Sequence, residues 1–146
     1  MSKRTRKLLL AVVGLVVAIQ LVPVWHWQTN PPVTGEPPWD TPLTRTLARG
    51  ACFDCHSNET VWPVYAHVAP VSWLVTSDVV EGRAKLDFST WSAARAGDGR
   101  VSVHDIVEAV RSGDMPPLTY RLMHPAARLR DRDRTALIAG LEATLR

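Results

Sequence analysis

Residues 8–25, "LLLAVVGLVVAIQLVPVW", carry no charge, and Gln20 is the one polar side chain among them. An apolar run without a polar face predicts a helix that is buried all round or lies in lipid. At 1.5 Å per residue the run reaches about 27 Å, close to the hydrocarbon thickness of a bilayer. The expectation is therefore an uncleaved transmembrane helix. Lys3, Arg4, Arg6 and Lys7 would stay in the cytoplasm, and Trp25 and Trp27 would settle at the far interface. A cleaved signal peptide is the rival reading, but "AIQLVPVWHWQ" lacks the small-residue pattern of a cleavage site.

The pattern then changes. Residues 28–42, "QTNPPVTGEPPWDTP", hold five of the eleven prolines and predict an extended, semi-rigid spacer. Helical signals follow. Thr41 is a candidate N-cap with Pro42 at the first helical position, and Leu43 and Leu47 would share one face of the helix that follows. Pro63 and Pro70 each suit a helix start, and "PVSWLVTSDVVEG" predicts a helix that stops at Gly82. "FSTWSAARAGDG" predicts a short helix capped by Ser89 and stopped by Gly97 and Gly99. Ser102 and Asp105 form a capping-box pattern opening "VHDIVEAVRSG", with Gly113 as its end. In "DRDRTALIAGLEATLR", Leu137, Leu141 and Leu145 make one apolar stripe, and Asp131 and Asp133 suit the positive end of the helix. Few stretches alternate with a period of two. The predicted class is all-α, with about five short helices after the N-terminal transmembrane helix. The expected division is residues 1–27 as basic stub and anchor, 28–40 as linker and 41–146 as the domain.

Charge narrows the partners. The formal net charge is +3, but four basic residues sit in the first seven positions. From residue 8 onward there are 13 Lys and Arg against 14 Asp and Glu. A nucleic-acid module is basic in its folded part, so that class is excluded. No small-molecule substrate suggests itself.

The chemistry is carried by Cys52, Cys55 and His56 in "GACFDCHSNETVWPVY". C-x-x-C-H is the attachment signature of c-type haem. Each thiol adds across a porphyrin vinyl group to give a thioether. The two-residue spacing lets one helical turn reach both vinyls, and the next side chain turns its imidazole to the iron. A thioredoxin-like dithiol would need a βαβ setting, and structural zinc would usually need a fourth ligand. The expected cofactor is one covalently bound haem c. For the distal iron ligand the candidate is Met115, in the proline-stiffened "SGDMPPLTY", with His67 and His124 as alternatives. His26 and His104 read as interfacial and solvated residues. Trp62, Tyr65, Trp73, Trp91 and Tyr120 offer flat apolar surface for a porphyrin, and Arg83 a partner for a propionate.

The motifs "CFDCHSNETVWPVY", "APVSWL", "EGRAKLDFSTW", "GDMPPLTY" and "HPAARL", in that order, run from about residue 44 to 141. Through them the chain resembles the bacterial haem-binding domain family, short membrane-anchored proteins related in layout to cytochromes c. The resemblance implies an all-α, cytochrome c-like domain and covalent haem on Cys52, Cys55 and His56. Its "GDMPP" motif fits Met115 as distal ligand. The chain departs from the family pattern at Asp87, where Asn is frequent, and at His67, which leaves a bis-histidine variant open. It departs also at Arg130, in place of a capping serine, so the last helix is expected to start less cleanly.

Three functions compete. A His/Met-ligated haem is closed to substrates and suits one-electron transfer with a redox protein partner. A peroxidase-like enzyme needs an open iron position with an acid/base residue over it, and no distal-histidine motif supplies one. A sensor, or the haem subunit of a redox enzyme, needs a displaceable distal ligand. The expected location is the bacterial inner membrane, single-pass, with the haem domain on the periplasmic side.

Overall fold

The computed structural model describes residues 2–91 and 101–145. Seven α-helices and no strand occur among them: α1 (Lys3–Ile19), α2 (Pro42–Ala51), α3 (Phe53–His56), α4 (Val71–Lys85), α5 (Val103–Ser112), α6 (Leu118–Met123) and α7 (Asp131–Leu145). The all-α expectation therefore holds. The short helix predicted from Ser89 to Gly97 and Gly99 falls mostly on residues 92–100, outside the described residues.

The transmembrane expectation is overturned. No helix among the described residues is long and apolar enough to cross a membrane, so a single-pass inner-membrane placement has no support. The physical reason lies at both ends of α1. Its first turns are spent on Lys3, Arg4, Arg6 and Lys7, and it stops at Ile19. The twelve residues from 8 to 19 rise about 18 Å, well short of the roughly 30 Å of a bilayer core. Gln20 ends the helix. Its side chain takes the Ala69 N–H on Oε1 (2.9 Å) and gives an N–H to the Ala69 carbonyl (3.2 Å).

The proline-rich segment is stitched to the domain along its length. Gln28 bonds Ala66 and Thr76, Asn30 bonds the Thr60 carbonyl, and the Thr34 and Gly35 amides both donate to Ser89. Gly35 and Thr90 form an isolated parallel bridge. Trp39 then enters the core beside Phe88, with ring centroids 5.3 Å apart.

The core gathers where α2, α5 and α7 meet. Phe53, Phe88, Leu137 and Leu141 are essentially buried and are joined by Ala48, Ala51, Val107, Val110 and Leu145. Burying each large side chain contributes about 1.5–3 kcal/mol. The leucine stripe of α7 faces this core as its spacing predicts. On α2, Thr44, Ala48 and Ala51 are buried and Leu47 packs against the core, while Leu43 is exposed. Small residues win there because α7 crosses closely. A Cβ built on Gly140 would come within 2.8 Å of the Thr44 Cβ.

Caps follow the sequence closely. Thr41 accepts the Thr44 N–H ahead of Pro42, and Ser102 with Asp105 completes a capping box. Gly113 ends α5 at φ 84°, a left-handed conformation that favours glycine. At α7 the Arg130 side chain accepts nothing. It donates instead to Asp133 (3.0 Å), so the acidic first turn meets the helix start in place of a serine cap.

Candidate functional site

α2 and α3 meet at Cys52, and the second cysteine and the histidine follow on the single turn of α3. The turn is pressed against α4. Gly82 lies inside that helix rather than at its end, and a Cβ there would sit 3.1 Å from both the carbonyl carbon and the Cβ of Cys55. Only a residue without a side chain lets the two backbones approach this closely.

That approach orients His56. Its Nδ1 lies 3.0 Å from the Gly82 carbonyl oxygen and 3.1 Å from that of Leu86. Carbonyls only accept, so Nδ1 carries the proton and donates. Nε2 is left with its lone pair, and among the described residues it has no hydrogen-bond partner. A ring held in one tautomer by a backbone acceptor is the usual arrangement of a metal-binding imidazole. Burial holds the pKa of His56 below the ordinary histidine value, which keeps the ring neutral and ligand-competent.

The thiols have the opposite character from a redox dithiol. Burial pushes Cys52 up to about 12, with the neighbouring Cys55 adding to it. Cys55 is pushed up to about 11, by burial first and then by Asp78 and Asp54. A thioredoxin-type nucleophile requires a lowered pKa. Nor does a zinc centre assemble: among the described residues no three His, Cys, Asp or Glu side chains are grouped to hold a metal ion.

Asp54, between the two cysteines, is the hub of the cysteine turn. Its Oδ1 accepts the Val61 N–H (3.0 Å), its carbonyl accepts the Thr60 hydroxyl (2.7 Å) and its Oδ2 accepts the Tyr120 hydroxyl (2.6 Å). Nothing in C-x-x-C-H marks the intervening positions, so the sequence carried no signal for this role.

The chain belongs to the haem-binding domain family. The family match covers residues 14–143, nearly the whole chain. No curated protein and no solved structure matches it.

The residues present fit haem. Two unpaired thiols and an oriented imidazole occupy one turn. The Nε1 groups of Trp62 and Trp73 and Nε of Arg121 are buried and have no acceptor among the described residues. An unsatisfied buried donor costs about 1–3 kcal/mol, so these groups call for acceptors that no described residue provides. Haem carboxylates are acceptors of that kind.

The other sequence candidates are distributed unevenly. Tyr65 lies in the 3₁₀ turn Val64–His67, and its hydroxyl is 3.3 Å from His124 Nε2. Trp91 packs against the Phe53–Phe88 cluster. Arg83 is engaged within the protein: it donates to the Ser57 and Thr29 carbonyls, Asn30 and Thr60, at 2.7–3.0 Å. It thus ties the N-terminal arm to the loop after His56. Met115 is exposed, in the loop after α5, with its amide bonded to the Ala109 carbonyl. His67 is exposed beside a small cavity lined by Gln20, Trp25 and Gln28. His124 stacks on Tyr120 (centroids 3.9 Å, 15°), with Nδ1 on the Tyr120 carbonyl.

Proposed function

We propose that this haem-binding domain carries one haem c: Cys52 and Cys55 would hold it through thioethers, and His56 Nε2 and the Met115 sulfur would bind its iron. It passes single electrons to and from a redox protein partner. The observation that carries the reading is the pinning of His56 Nδ1 between two backbone carbonyls, with both thiols on the same turn. When bound, haem supplies a one-electron iron couple, and thioether ligation raises its potential.

The chain's own residues do the rest. The Gly82 and Leu86 carbonyls hold the imidazole in one tautomer and one orientation. Burial keeps the ring unprotonated. The high thiol pKa values suit cysteines that end as neutral thioethers and not as a dithiol couple. Pro116 and Pro117 fix φ on the C-terminal side of Met115 and limit the slack of its loop.

Ferric and ferrous absorption spectra with and without carbon monoxide test this, on the parent and on Met115→Ala. The parent is expected to show the long-wavelength charge-transfer band of iron–thioether bonding and to take up carbon monoxide slowly. Met115→Ala should lose the band, bind carbon monoxide quickly and have a lower midpoint potential. Met123→Ala is the matched control and should keep the parent spectrum. Rapid uptake by the parent itself would overturn the closed, electron-transferring site in favour of a displaceable ligand. Loss of the spectrum in His67→Ala or His124→Ala, with Met115→Ala unchanged, would assign a bis-histidine iron.

A further inference from the structure

The segment that follows Met115 is joined to the cysteine turn by one short bond. Tyr120 sits in the first turn of α6, five positions after Met115 with Pro116 and Pro117 between. Its hydroxyl donates to Asp54 Oδ2 at 2.6 Å, within the range of a charge-assisted O–H···O⁻ bond. Burial and the Asp54 carboxylate raise the phenol's pKa far above its ordinary value, so the donor stays protonated at any working pH. The ring is set from the other side by its stacking on His124, whose Nε2 is 4.0 Å from the same Asp54 oxygen. Asp54 is in turn braced on Val61 and Thr60. At its other end the Met115 amide is fixed on Ala109 of α5.

We propose that the Tyr120–Asp54 hydrogen bond positions Met115. It fastens the short helix after the methionine to the turn that bears Cys52, Cys55 and His56, and so sets how firmly the sulfur holds the iron. Tyr120 is a positioning residue here: it acts on the iron through the loop, whereas its hydroxyl is spent on Asp54. The inference rests on Met115 being the distal ligand.

Tyr120→Phe removes the hydroxyl and keeps the ring that stacks on His124. The expected result is carbon monoxide uptake about tenfold faster than the parent, roughly the worth of one net charge-assisted hydrogen bond. The long-wavelength band should weaken and the midpoint potential should fall toward that of Met115→Ala. Asp54→Asn keeps the size of the acceptor and removes its charge, so a smaller change in the same direction is expected; it also serves if Tyr120→Phe fails to fold. Thr135→Val, which removes an exposed hydroxyl bonded to the Asp131 carbonyl within α7, should behave as the parent. The inference is overturned if Tyr120→Phe lowers the melting temperature but leaves carbon monoxide uptake, band and potential unchanged, since the bond would then be only structural. Met115→Ala in the same assays separates the two claims. If it opens the iron and Tyr120→Phe does not, the positioning role alone fails. If it leaves the parent spectrum intact, the ligand assignment fails and the positioning role with it.

Discussion

Gly82→Ala is the sharpest test of how α4 orients the site. In an isolated helix the change is favourable by about 1 kcal/mol, because alanine loses less backbone freedom. Here the added Cβ would overlap the Cys55 carbonyl oxygen and stand 3.1 Å from its carbon and from the Cys55 Cβ. Overpacking a fitted interface costs about 1–3 kcal/mol. The obstacle is backbone and not the tip of a flexible side chain, so the upper end applies. The net loss is then about 2 kcal/mol, or about 10 °C in melting temperature for a domain of roughly 100 residues. Separation of α4 from α3 would also pull the Gly82 carbonyl away from His56 Nδ1. Thermal unfolding followed by circular dichroism reads the first effect, and the haem spectrum reads the second. Gly14→Ala is the control, because no atom lies within 4 Å of a Cβ there. A Gly82→Ala protein that melts at or above the parent temperature would refute the close-approach argument, since helix propensity alone would then account for it.

Two further outcomes are expected. Replacing Cys52 and Cys55 together with alanine should leave no haem-staining band after denaturing electrophoresis, and a persistent band would disprove covalent attachment at these residues. Glu36 accepts two hydrogen bonds from Arg45 (2.8 and 2.7 Å), which hold its carboxyl below the ordinary value of 4.5. A depressed carboxylate pKa adds stability that is complete above the unfolded value and disappears as pH falls through the folded one. The urea midpoint of Glu36→Gln should therefore lie below the parent's at neutral pH, with the gap closing below about pH 4.5; a gap constant into acid would contradict the linkage.

The sequence by itself determined what depends on neighbours along the chain. Helix caps at Thr41 and Ser102, the left-handed stop at Gly113 and the α7 leucine stripe are local patterns, read by residues three or four positions apart. C-x-x-C-H is equally local, since one turn of backbone holds all three groups. Tertiary structure decided the rest, because it turned on which surfaces touch. Gly82 has the chemistry of a helix stop, yet it is an interior residue emptied of a side chain by the approach of Cys55. Leu43 has the chemistry of a core residue, yet the crossing of α7 at Gly140 favours Thr44 and Ala48 instead. The apolar run at 8–25 has the composition of a membrane span, but Gln20 finds the backbone of Ala69 forty-nine residues away and the helix ends there. The orientation of His56 likewise depends on carbonyls twenty-six and thirty residues distant. Spacing along the chain encodes none of these contacts, because each is a matter of how closely two separate backbones can pack.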